Sequence, residues 1–204
     1  FRIADASQQE NTMSRYTIHT ADTAAEGARD TLTAIEDAAG FLPNVFAVLG
    51  NMPNGLGALV AMNTLFAEGR LTPVEREIVQ LAVSVQNRCG YCVAGHSAFG
   101  TDLGMTEADI AALRANRPLP VVREEALRRF ARALAAHKGH RSDAEYDAFL
   151  KAGYTAEQAA DVILGVSVKM YTNMLAIWLS LPLDDKFRPY AWSPEESRHT
   201  AVAA

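Results

Sequence analysis

Cysteine is scarce in this 204-residue chain: there are two, Cys89 and Cys92, both in one short segment. A secreted scaffold held by several disulfides is thereby excluded, and the pair fits a reducing cytoplasm in which a dithiol does chemistry. Basic residues are scattered, with 19 Lys and Arg against 24 Asp and Glu and a formal charge of −5, so no nucleic-acid partner is expected. No apolar run approaches the roughly 18 residues of a bilayer span, and no membrane partner is expected. The longest candidate, Val162 to Leu181, is interrupted by Ser167, Lys169, Thr172 and Asn173 and reads as a buried helix. Paired segments of period-two alternation are lacking too, which argues against a sheet. Gly50, Gly55 and Gly57 do not form a dinucleotide fingerprint, because no strand precedes them and the spacing is wrong. No nucleotide or flavin cofactor is expected.

What remains is helix. Hydrophobic residues make up 49% of the chain, enough for a substantial core without disulfides or metals. Phe1 to Thr12 are polar, precede Met13 and read as leader or added residues outside a single all-α domain spanning 13–204. Thr23 to Ala39 is Ala-rich and closes at Gly40; Val45 to Leu49 ends at Gly50; Pro53 to Glu68 stops at Gly69. Thr72 as N-cap, Pro73 at the first helical position and Glu75 form a capping box that opens a helix to about Gln86. Asn87 and Arg88 break it, and Cys89 opens the next helix, to about Phe99 before Gly100. Thr106 with Asp109 starts a short helix, Pro118 and Pro120 end it, and Val121 to Lys138 follows, stopped by Gly139. Ser142 with Glu145 and Thr155 with Gln158 are two further capping boxes, the last opening a helix to Leu181 before Pro182. The expectation is a compact bundle of about eight helical segments joined by short loops. Met170, Met174 and Trp178, at helical spacing, are expected in its core.

Thr72 to Val85 aligns without gaps on Thr155 to Val168, sharing the Thr start and a Leu-x-Val-Ser-Val ending. Two related helical hairpins packed on each other would explain this, as would two buried helices with similar apolar faces. The second copy carries Thr172 and Leu175 where the first has Cys89 and Cys92, and so lacks its chemistry.

That chemistry sits in the run from Glu77 to His96. Cysteines three positions apart on a helix have Cα atoms roughly 5 Å apart, within the span of a disulfide. Cys89 and Cys92 can therefore cycle between dithiol and disulfide. The start of a helix presents unpaired N–H groups that favour a thiolate. His96 follows Cys92 by four residues, on the same face, in reach of its sulfur directly or through a water. Glu77 lies on the inward stripe of the preceding helix, where a carboxylate needs a partner such as a histidine. A relay from Glu77 to His96 to Cys92 would withdraw the thiol proton and return it to a leaving alkoxide. A zinc site would need two ligands beyond the cysteines, which His96 and Glu77 could supply; His137 and His140 straddle Gly139 at a helix end and suit the dipole there.

With Glu77 twelve residues before Cys89 and His96 four after Cys92, the run resembles the alkyl hydroperoxidase D and carboxymuconolactone decarboxylase-like family, in its peroxidase branch. The likeness extends loosely from Phe41 to Trp192, through Asn173 to Asp184 and Phe187. It implies an all-α homo-oligomer that reduces hydroperoxides, with Cys92 attacking and Cys89 resolving. The reductant would be a lipoyl or thioredoxin-like protein or a small thiol. Some members have a histidine before the second cysteine; here Tyr91 stands there, an accessory that can donate a hydrogen bond but cannot titrate near neutrality. Retention of both cysteines favours a peroxidase over a decarboxylase. The reading from another class is a thiol switch, in which oxidation of the pair alters a partner interface without turnover.

Overall fold

The computed structural model describes residues 16–140 and 143–195. The expected leader and the Ser142 cap lie outside the described residues. Eight helices of more than one turn are found there: α1 (Arg29–Ala39), α2 (Pro53–Ala67), α3 (Pro73–Gln86), α4 (Gly90–Asp102), α5 (Glu107–Arg114), α6 (Val122–Ala136), α7 (Asp143–Lys151) and α8 (Ala156–Trp178). Short 3-10 or single-turn pieces stand at Glu26–Ala28, Asn44–Ala47, Val48–Asn51 and Asp185–Tyr190.

The local chemistry explains most boundaries. At Thr72 the hydroxyl accepts from the Glu75 N–H at 3.2 Å while the Glu75 carboxylate accepts from the Thr72 N–H at 2.9 Å. Thr155 and Gln158 make the same reciprocal pair at the start of α8, and Thr106 caps α5 through the Asp109 N–H. Gly40, Gly104, Gly139 and Gly153 take left-handed φ values after helix ends. Gly100 does not end α4 as expected, because its reason is packing: a Cβ there would lie 2.9 Å from the Met105 sulfur. The helix continues to Asp102 and Gly104 stops it. The first helix begins at Arg29, later than Thr23, after a 3-10 turn.

Helix α3 is the hub. Every residue from Ile78 to Val85 is buried, since α4, α5, α6 and α8 pack around it. One apolar cluster joins α3 to α6, α7 and α8 through Ile78, Leu81, Leu127, Phe130, Phe149 and Val162. A second joins α1, α2, α4, α8 and the C-terminal segment through Leu32, Leu56, Leu59, Ala94, Val168 and Phe187, and both cysteines belong to it. Each fully buried Leu or Phe of this kind contributes about 1.5–3 kcal/mol.

The aligned helices α3 and α8 do pack together, yet the second copy is no hairpin. It runs as one unbroken 23-residue helix, since Met170 and Tyr171 stand where Asn87 and Arg88 turn the chain in the first. Helix α8 is also long and apolar enough to cross a bilayer by length and composition. Its inward face, however, carries Lys169, Thr172 and Asn173, all buried within the bundle. That orientation turns Met174 and Trp178 outward, 59% and 61% exposed, and corrects the expectation that they are core. Gly165 on α8 lets the Phe66 ring approach, and an added Cβ would meet its Cε2 at 2.6 Å. Gly165→Ala is accordingly expected to destabilise the protein by about 1–3 kcal/mol, read as a lowered denaturation midpoint.

Candidate active site

Where α3 ends, Asn87 is its C-cap and Arg88 takes a left-handed φ of 59°. The Cys89 N–H then returns to the Ser84 carbonyl at 3.0 Å, the six-to-one bond of a Schellman ending. The turn is braced by Asn87, whose side-chain amide donates to the Asn173 carbonyl oxygen at 2.8 Å. Cys89 becomes the N-cap of α4, and Cys92 falls in its first turn, at the positive end of the helix dipole. Both thiols are free and buried.

Their environments differ in sign. Cys92 is lowered to about 7, foremost because the Cys89 thiol hydrogen-bonds to its sulfur; the Lys169 charge and hydrogen bonds from Asn173 and Thr172 add to this against the opposing effect of burial. Cys89 is pushed strongly upward by the same hydrogen bond, by burial and by the negative charge on Cys92. Of the two sulfurs Cys92 is thus the more readily ionised, and Cys89 is the one that keeps its proton.

Glu77 of α3 and His96 of α4 are brought together as expected, with the carboxylate 2.7 Å from His96 Nδ1. The other ring nitrogen, Nε2, meets Lys169 Nζ of α8 at 2.5 Å. A carboxylate only accepts and an ammonium only donates, so the proton of the imidazole belongs on Nδ1 and the ring is neutral. In agreement, burial and the Lys169 charge lower the His96 pKa, opposed by Glu77. Both ring nitrogens are thus committed, and the one left to receive a proton from Cys92 is bonded to Lys169. The zinc alternative meets the same obstacle: the imidazole nitrogen free of Glu77 is bonded to a cation.

Tyr91 points away from this line. Its hydroxyl donates to the Asp184 carboxylate at 2.6 Å and accepts from the Val45 N–H at 3.2 Å, while Asp184 also accepts from the Asn44 N–H at 3.0 Å. Burial, then the neighbouring carboxylate, push the phenol well above its ordinary range. Tyr91 therefore ties α4 to the Asn44–Ala47 turn and to the C-terminal segment. That segment closes the site with Phe187, whose ring meets those of Phe41, Tyr91 and Phe99 edge to face at 5.5, 5.9 and 5.5 Å. Between them lies a largely apolar cavity of about 120 Å³, walled by Val45, Phe46, Phe99 and Phe187, with Cys92 and Lys169 also lining it.

Four residues of this site escaped the sequence reading: Lys169, Thr172, Asn173 and Asp184. Three come from α8, the copy described as lacking the chemistry, and Thr172, aligned with Cys89, is among the groups that lower the Cys92 pKa. A signal for Lys169 was present, because a charge inside a long apolar helix must find a partner when buried.

Residues 58–132, from α2 to within α6, match the carboxymuconolactone decarboxylase family. No curated protein matches the sequence. Among solved structures, the fold is similar to the alkylhydroperoxidase AhpD core of an uncharacterised peroxidase-related protein from Ralstonia eutropha, at 26% identity and a TM-score of 0.76, covering 85% of this chain and 93% of that one. A second peroxidase-related protein, from a Silicibacter species, is 20% identical with a TM-score of 0.72, covering 83% and 91%. The debrominase Bmp8, in complex with 2,3,4-tribromopyrrole, shares the fold at 16% identity and a TM-score of 0.67, over 93% and 92%. The segment that bears the dithiol thus matches the carboxymuconolactone decarboxylase family, and the fold that encloses it is similar to the AhpD core.

Proposed function

We propose that the protein is a thiol-dependent peroxidase that reduces small organic hydroperoxides. The observation that carries this reading is the placement of two free cysteines at the start of α4, with Cys92, the more acidic of the two, lining an apolar cavity. The Cys92 thiolate attacks the outer oxygen of the hydroperoxide and the O–O bond breaks, giving a sulfenic acid and an alcohol once the leaving alkoxide takes a proton. Cys89 then attacks the sulfenic sulfur, its thiol proton leaves with the hydroxide as water, and an intramolecular disulfide forms. A lipoyl group, a thioredoxin-like protein or a small thiol, in a compartment such as the cytoplasm, returns the disulfide to the dithiol.

The cavity favours small apolar substrates. A hydrocarbon-lined void of roughly 150 Å³ holds benzene, and this one is somewhat smaller. Tert-butyl hydroperoxide fits that measure better than hydroperoxides with long chains or fused rings. A decarboxylase of the same family does not depend on a redox dithiol, which leaves the paired tuning of Cys89 and Cys92 without a purpose in that reading.

The test is peroxide consumption with tert-butyl, cumene and hydrogen peroxides, each with dithiothreitol, dihydrolipoamide or reduced thioredoxin. Many equivalents consumed per protein, and a disulfide-linked intact mass with no alkylatable thiol after oxidation, are expected. Consumption of a single equivalent would assign a thiol switch instead, and bromide release from tribromopyrrole with no peroxide consumed would replace the reading.

Self-association belongs to the same proposal. Helix α8 exposes Ile163, Met174, Ile177 and Trp178, and α2 exposes Leu65, all more than half accessible. A surface of this kind commonly lies between subunits. Light scattering at micromolar concentration is expected to give a dimer, a trimer or a multiple of these, and a 22.1 kDa species would contradict it.

A further inference from the structure

The geometry points to Lys169 as a catalytic residue of this site: its ammonium, rather than the His96 ring, holds the Cys92 sulfur as a thiolate and gives the proton to the oxygen that leaves it. The inference rests on the peroxidase reading for the fate of that proton. The placement of the charge does not.

Lys169 is 95% buried, in a helix whose other inward residues are apolar or neutral. A buried ammonium needs compensation, and the groups facing it are few. His96 of α4 accepts from it at 2.5 Å and is neutral, so it supplies a hydrogen bond and no charge. Glu77 of α3 lies behind that ring, bonded to Nδ1. Cys92 and Cys89 of α4 both feel its charge, and α2 adds only the neutral Asn63 to the shared cavity wall. The nearby Tyr91 is engaged with Asp184. A thiolate at Cys92 is therefore the counter-ion that the cavity itself provides.

The proton balance closes without the imidazole changing charge. In the resting state Cys92 is S⁻ and Lys169 is NH₃⁺. Attack on the outer peroxide oxygen forms S–OH and breaks O–O; sulfur is oxidised, oxygen is reduced, and the alkoxide takes one proton from Lys169 to leave as alcohol. Resolution by Cys89 releases water. When an external dithiol reduces the disulfide, two thiols are restored, and the Cys92 proton passes back to the neutral Lys169 amine. Each cycle thus moves one proton out and one back at the same nitrogen, while Glu77 and His96 act as positioning residues for it.

Two variants separate charge from scaffolding. Lys169→Gln keeps a donor to His96 Nε2 but removes the charge, and Lys169→Arg keeps the charge. The primary readout is the pH profile of Cys92 alkylation by iodoacetamide in the Cys89→Ser background, which needs no peroxide. The profile with native Lys169 is expected to rise through a midpoint near 7, Lys169→Gln to shift that midpoint upward by at least one pH unit, and Lys169→Arg to restore most of it. At pH 7 the Lys169→Gln protein with both cysteines should react with tert-butyl hydroperoxide roughly 10²-fold more slowly. If Gln does not fold, Lys169→Met with circular dichroism as a check takes its place, and failure of all neutral variants alongside a folded Lys169→Arg supports the charge requirement. An unchanged alkylation profile in folded Lys169→Gln overturns the inference. A shifted profile in a protein that consumes no peroxide overturns the peroxidase reading and leaves the coupling of Lys169 to Cys92 standing.

Discussion

Cys92→Ser is expected to abolish peroxide consumption, while Cys89→Ser consumes one equivalent and stops. The difference follows from what each sulfur holds. In the proposed reaction Cys92 carries the negative charge, favoured by the Cys89 thiol, Lys169, Asn173 and Thr172. A serine hydroxyl in its place keeps the hydrogen bonds but is not ionised near neutrality, so no nucleophile remains. At position 89 a serine hydroxyl can still donate to the Cys92 thiolate, and the first step survives. The sulfenic acid then has no thiol to resolve it and accumulates, to be trapped by dimedone and located by mass spectrometry. Dimedone on Cys89 in the Cys92→Ser protein, with none on Cys92 in the Cys89→Ser protein, would reverse the two roles. The pH dependence has a definite sign: the rate of the first step is high above a midpoint near 7 and declines as pH falls through it, because protonation removes the nucleophile.

His96→Gln and Glu77→Gln should each lower steady-state turnover by up to about 10²-fold, no more than loss of the Lys169 charge, while leaving the helical circular dichroism intact. His96 is the acceptor that holds Lys169, and Glu77 fixes the tautomer that leaves Nε2 free to accept. Loss of either lets the ammonium move relative to the sulfur. Because the two act as one unit, the double variant should cost little more than either single one. Additive losses would mean that each serves a separate step, and unchanged turnover in both would reduce the site to a simple dithiol.

The dithiol face of this site was legible because helix punctuation and motif spacing are local properties. Thr72, Pro73 and Glu75 fix where α3 starts, and the single turn between α3 and α4 brings Glu77 of one helix to His96 of the next. The α8 face was less legible. Lys169 lies 73 residues beyond His96, and nothing in the spacing of either helix states that the two meet. Its presence in an apolar run told against a membrane span but not toward which partner it turned. Met174 and Trp178 were misplaced for a related reason: periodicity gives the width of an apolar stripe, and in α8 apolar residues occur all round, so the buried polar residues set its rotation. Gly100 misled because a glycine required for side-chain clearance reads, in sequence, like one that ends a helix.

The family match covers residues 58–132, whereas Lys169, Thr172, Asn173, Asp184 and Phe187 all lie beyond it. Cys92 and part of the set of residues that bear on its charge and shape its cavity therefore occupy separable stretches of chain. Mutations in the later stretch can alter the acidity of the sulfur and the size of the molecule reaching it while the cysteine segment stays unchanged. Two relatives with identical dithiol segments could in this way part in chemistry, and comparison of the residue at the position of Lys169 would sort them where comparison of their cysteines would not.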